Sequence, residues 1–167
     1  METYNFSPGL TNFVSRHPIL LKNIEIISIL IFAIGIIMHF MAIKNADKVV
    51  ETGSVLTAIT YWFHAFKLVE VDNTEVSGYL NSSVVIRFIY KLTYLTYFLL
   101  FIAIAAQILN AQLSETLLFV TGATLIFVFI ISLLTEGIDR SKIYNFAYYL
   151  RLIPSLLLLL FLFIIHF

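Results

Sequence analysis

Between Ile24 and Ile43 the chain runs for twenty residues with a single formal charge, Glu25. Wound as an α-helix at about 1.5 Å per residue, such a run is about 30 Å long, the thickness of a bilayer's hydrocarbon core. In lipid each backbone N–H and C=O needs a partner within the protein, which leaves only helices and closed barrels. Four further apolar runs follow: Val49–Leu68, Val84–Leu109, Thr116–Leu134 and Tyr148–Phe167. The last contains Pro154, which is tolerated near the start of a helix. The chain is 60% hydrophobic and 12% charged. A soluble domain is about 45–50% apolar and about 25% charged. The sequence therefore reads as an all-α, polytopic helical membrane protein with about five transmembrane helices.

The organisation follows from the spans. Residues 1–167 form a single membrane domain. A cytoplasmic segment (1–23) precedes a first hairpin (24–68). A polar loop (69–83) leads to a second hairpin (84–134), and a last helix (148–167) ends the chain. No signal peptide is apparent ahead of the first span, which is expected to direct its own insertion. Arg16, Lys22, Lys67, Arg87, Lys91, Arg140, Lys142 and Arg151 fall on one side, Lys44 and Lys48 on the other. Eight against two places the N-terminus in the cytoplasm. The location is then a bacterial inner membrane or, given many Ile and Phe and no Cys, an organellar inner membrane. Zero net charge gives no reason to expect a nucleic-acid partner.

A single constant shift along the sequence lays the first hairpin on the second. Lys22 meets Lys91, Leu30 meets Leu99, Phe32 meets Phe101, Thr52-Gly53 meets Thr121-Gly122 and Leu56 meets Leu125. Both copies enter the membrane from the same side, so the pattern reads as two parallel-repeat helical hairpins. Gly53, Ser54, Ala58 and Gly122 are the candidate packing residues, because small side chains let membrane helices approach closely.

Ionisable groups inside spans are costly, by about 2.5–3.5 kcal/mol for a central charge on insertion scales. Glu25 stands one residue inside the first span and His64 four residues before the end of the second. With a turn near 44–46, the two fall at equal depth, as do Lys22 and Lys67. Glu25 and His64 are a candidate proton-binding or polar pair, because histidine changes charge nearest neutral pH. Anchoring at the headgroups is the other reading. His39 and His166 lie near the opposite face, as interfacial residues or as a metal or haem pair. Gln107, Asn110 and Glu115 close the second turn.

The stretch Gly35–Phe66, "GIIMHFMAIKNADKVVETGSVLTAITYWFHAF", resembles the N-terminal membrane hairpin of the GldL family and its small relatives. Gly35, Ala46, Gly53, Ala58, Tyr61, Ala65 and Phe66 stand at similar spacing. His39 replaces the family's lysine, and Ala42-Ile43-Lys44-Asn45 replaces its His-Trp-Pro-Gly turn. The resemblance covers about a fifth of the chain. It implies a helical hairpin and, more remotely, a place in the proton-driven motor of gliding and type 9 secretion.

No phosphate loop, nucleophile elbow or zinc spacing is present, and a non-catalytic protein is expected. Three functions fit. The first is a membrane subunit or scaffold packed among other membrane subunits. The second is a homo-oligomeric transporter or proton channel using Glu25 and His64. The third is a haem- or quinone-binding electron-transfer subunit. The lipid bilayer is a partner of all three, and the sequence identifies no cofactor.

Overall fold

A computed structural model describes residues 18–65, 84–136 and 146–166. Five α-helices account for nearly all of them: α1 (Pro18–Phe40), α2 (Ala46–Ala65), α3 (Val84–Ile108), α4 (Ser114–Glu136) and α5 (Phe146–His166). No strand occurs among the described residues. The N-terminal residues 1–17, the polar loop 69–83 and the basic stretch of Arg140 and Lys142 lie outside them. Three helices are long and apolar enough to cross a membrane: α1 over Ile19–Phe40, α3 over Phe88–Ile108 and α4 over Ser114–Thr135. Twenty-residue α2 carries Asp47, Lys48 and Glu51 in its first turns, and α5 is apolar from Tyr148 to Leu162.

Two boundaries differ from the sequence reading. Helix α1 starts at Pro18 rather than Ile24. A proline lacks only an N–H that the first turn would leave unpaired, and its φ is already helical. Glu25 therefore stands seven residues into the helix, about 10 Å from its start. Helix α5 starts at Phe146, which puts Pro154 two turns inside it. The helix continues past the proline, and the Ser155 hydroxyl donates to the Arg151 carbonyl beside it (2.9 Å).

Both interhelical turns close in the same way. The Ile43 N–H donates to the Met38 carbonyl and Ala42 N–H to His39 O, with Ala42 left-handed at φ 52°. The Ala111 N–H donates to Ala106 O and Asn110 N–H to Gln107 O, with Asn110 at φ 51°. This is the paired 6→1 and 5→2 pattern that satisfies the last carbonyls of a helix. The step from Ala42 to Asn110 is one residue shorter than the step from Lys22 to Lys91 that the sequence match suggests. Burial follows the shorter step. Leu21, Glu25, Ser28 and Phe32 are buried on α1, and Ile89, Thr93, Thr96 and Leu100 on α3. On α2 and α4 the buried pairs are Val50 with Leu118, Gly53 with Thr121, and Ser54 with Gly122. Gly53 and Gly122 are thus one residue out of register.

The first hairpin is unusually tight. A Cβ on Gly53 would lie 2.5 Å from the backbone of Phe32, and one on Gly35 would lie 2.6 Å from the Val50 nitrogen. Each helix presents a glycine to the other's backbone, and no larger residue fits in either place. Around this contact the helices pack in chain order. Helix α3 is central: Tyr97 and Leu100 are at most 1% exposed, and Phe101 meets Phe32 edge-on at 5.2 Å. Helix α5 runs parallel to α1, with Arg151 beside Glu25 and Phe161 beside Phe40.

The outward faces are apolar. Ile26, Ile27, Leu30, Ile34 and Ile37 of α1 are exposed, as are Phe119, Ile126, Phe127 and Ile130 of α4. Faces of this extent suit lipid rather than water. Interior threonines bond within their own helices, as Thr57 does to Gly53 O (2.7 Å) and Thr96 to Leu92 O (2.7 Å). Their hydroxyls therefore add little penalty in lipid.

Gly53→Ala and Gly35→Ala should each destabilise the protein by about 1–3 kcal/mol through overpacking, read as a lowered midpoint in reversible detergent unfolding. Ala123→Gly, on the exposed side of α4, should change it by no more than the propensity difference of about 1 kcal/mol.

Candidate functional site

At the end of the bundle away from the two turns, three ionisable side chains from three helices meet. Glu25 of α1 is 5% exposed and His64 of α2 is 6% exposed. Arg151 reaches in from α5. Its Nε donates to Glu25 Oε1 at 2.6 Å and an Nη to Oε2 at 3.1 Å. This is the bidentate fork that guanidinium and carboxylate make with most strength and directionality. His64 Nε2 lies 3.3 Å from Glu25 Oε2. It approaches off the line of an aligned hydrogen bond.

The spacing of Glu25 and His64 puts them on one side of the hairpin, and side-chain direction brings them together. Phe32 faces Gly53 and Gly35 faces Val50, so the residue level with Glu25 is Thr60. His64 is one turn further along α2, about 6 Å away along the axis. Helical side chains lean toward their own N-terminus. In antiparallel helices Glu25 and His64 lean toward each other and close that gap. Both are covered by protein. Lys67, their expected neighbour, lies outside the described residues.

Tyrosines wall the cluster. His64 stacks on Tyr94 (centroids 5.6 Å, 26°), and Tyr61 packs on Tyr97 at 5.0 Å. Tyr90 donates to the Tyr94 hydroxyl at 3.2 Å. Helix α5 also binds α3 here, through Tyr148 and Thr93 with hydroxyls 3.0 Å apart. Thr93 follows Glu25 by the same step that separates Ala42 from Asn110. One turn of α5 therefore holds corresponding positions of both hairpins, through Arg151 on Glu25 and Tyr148 on Thr93.

The other candidate residues lie elsewhere. Gly53 serves the hairpin contact, and Ser54 and Ala58 are fully buried in α2. Gly122 lines a groove between α4 and α5. His39 pairs with Asp47, Nδ1 to Oδ1 at 2.8 Å, at the turn end. His166 ends α5, with its side chain outside the described residues. Among the described residues no three His, Asp or Glu side chains converge as metal ligands. Arg151 is the residue that sequence reading missed. It counted as one cationic flank among eight, and its one signal was a position only three residues before Pro154, within an apolar helix.

Compared with protein-family models, curated proteins and solved structures, the chain matches none.

Arg151→Leu should cost most, up to about 3 kcal/mol, because it leaves a carboxylate buried without its cation. His64→Leu should cost about 1 kcal/mol, since the fork to Arg151 remains. Glu25→Leu with Arg151→Leu should lose less than the two single changes added together. Detergent-unfolding midpoints of the three variants and the double mutant provide this cycle.

Proposed function

We propose that the protein is a non-catalytic, multi-pass membrane subunit that packs against a helix of another membrane protein. Its five helices cross the bilayer as two duplicated hairpins and a closing helix. The observation that carries this reading is the groove between α4 and α5, a cavity of about 440 Å³ bounded by Phe119, Gly122, Ala123, Ile126 and the leucines of α5. Gly122 and Ala123 are its small lining residues, where a partner's backbone can approach closely. Such dispersion contacts, rather than water exclusion, drive helices together in lipid.

The ion cluster supports the same reading. Glu25 is committed to Arg151 in a fork and to His64 beside it. A carboxylate held this way keeps helices together and is poorly placed to take up and release protons. Between the cluster and the turn end, Phe32, Leu100, Phe101 and Leu125 fill the interior. Like turns and like burial at one common step along the chain support the duplicated unit. The resemblance of residues 35–66 to the GldL hairpin agrees with that architecture. The eight-to-two distribution of Lys and Arg supports a cytoplasmic N-terminus, in a bacterial inner membrane.

In mild detergent the protein should purify with a second membrane protein. Ala123→Phe should release that partner while leaving the unfolding midpoint of the isolated chain unchanged. A homo-oligomer that conducts protons in vesicles, with the flux abolished by Glu25→Gln, would replace this reading with that of a proton pathway. For topology, Lys44→Cys should react with an impermeant thiol reagent on intact cells and Asn73→Cys should not. The reverse labelling would invert the protein in the membrane.

A further inference from the structure

A cavity of about 320 Å³ lies at the turn end, between the two hairpins and α5. That is within the about 300–1,000 Å³ of small-molecule sites. Its walls come in corresponding pairs, one residue from each hairpin. Ile36 and Ile104 line the apolar part, with Val50 and Leu118. His39 and Gln107 occupy corresponding places at the rim. The cavity therefore lies between the like halves, and its polar character comes from this rim, which Asp47 and Asn110 share.

The rim selects the ligand. Asp47 also lines the cavity and accepts the Nδ1 proton of His39 at 2.8 Å. In the neutral ring this leaves Nε2 as an acceptor, suited to a hydroxyl. The Gln107 amide carries both a donor and an acceptor. Among the described residues no lysine or arginine lines the cavity, and Asp47 repels anions. A phosphate headgroup is therefore disfavoured and an uncharged oxygen-bearing head favoured. The apolar side runs to Phe161 of α5, whose ring meets Phe40 at 6.2 Å on the lipid side. A hydrocarbon tail leaves the site there.

We propose that this cavity binds a membrane quinol, with the head between His39 and Gln107 and the isoprenoid tail passing Phe161 into the bilayer. One quinol hydroxyl donates to His39 Nε2, and the opposite ring hydroxyl donates to the Gln107 side-chain oxygen Oε1. The site lies at the other end of the bundle from the Glu25 cluster and away from the α4–α5 groove, so it stands independently of the subunit reading. The proposal concerns binding alone and involves no electron transfer.

The test is equilibrium dialysis of the purified full chain in detergent against radiolabelled decylubiquinol. Saturable binding near one per chain is expected, reduced about tenfold by His39→Leu or Gln107→Leu through loss of a hydrogen bond. Leu118→Phe, which fills the apolar wall, should abolish it, and His39→Gln, which retains an acceptor, should restore most of it. Variants are compared only where gel filtration matches the wild type; Leu118→Phe and Gln107→Leu test the site independently of the His39–Asp47 pair. Absence of saturable binding would overturn the proposal, as would binding unchanged in both Gln107→Leu and Leu118→Phe. Displacement by phosphatidylglycerol or dioleoylglycerol as readily as by unlabelled quinol would assign the cavity to a glycerolipid instead.

Discussion

A carboxylate two turns inside an apolar helix needs a partner where it stands, and in this bundle Glu25 is met from two directions. His64 approaches within its own hairpin, and Arg151 arrives from the far end of the sequence. Burial of any one of these groups alone would be costly. Together they make the arrangement of α1, α2 and α5 specific. The guanidinium fork demands both a distance and an orientation, which apolar side chains facing lipid on one side and protein on the other do not impose. Tyr148, three residues before Arg151, extends the same hold to Thr93 on α3.

That arrangement rests on how closely the first two helices approach. Gly35 and Gly53 each lie against the backbone of the opposite helix. The resulting short interaxial distance lets Glu25 and His64 span a one-turn offset. The second hairpin has Ala103 and Thr121 at the corresponding places, both buried. Its turn nonetheless closes through the same four groups. The turn is built from backbone hydrogen bonds, so it tolerates Ala42 in one copy and Asn110 in the other. The helix contact is built from side-chain size, so the two copies differ there.

The two ends of the bundle thus have different chemistry. At the clamp end, Glu25 and Thr93 occupy corresponding positions, one charged and one not, and α5 answers each with a matching side chain. At the turn end, His39 and Gln107 correspond, and the space between the halves is left open. Different side chains at a few positions related by one step along the chain separate an ionic lock from a cavity.

The helical, membrane-embedded character of this chain was legible in the sequence, because the length of an apolar run and the absence of water in lipid together permit little else. The contact of Glu25 with His64 was legible only in part, since the depth count of an antiparallel hairpin brings them near each other but is off by one turn. Their distance was not, because it depends on the lean of each side chain and on the glycine contact beneath them. The start of α1 was not legible from the apolar run, which begins at Ile24, because Lys22 and Asn23 stand within the helix and Pro18 is a favourable first residue. The step that carries Ala42 onto Asn110 was hidden behind the one that carries Lys22 onto Lys91, because identities in apolar helices are cheap and backbone hydrogen bonds are not. Arg151 could not be assigned at all: it lies 126 residues from Glu25, and only the parallel docking of α5 on α1 brings a cation that looked like a topology signal to the one carboxylate that needs it.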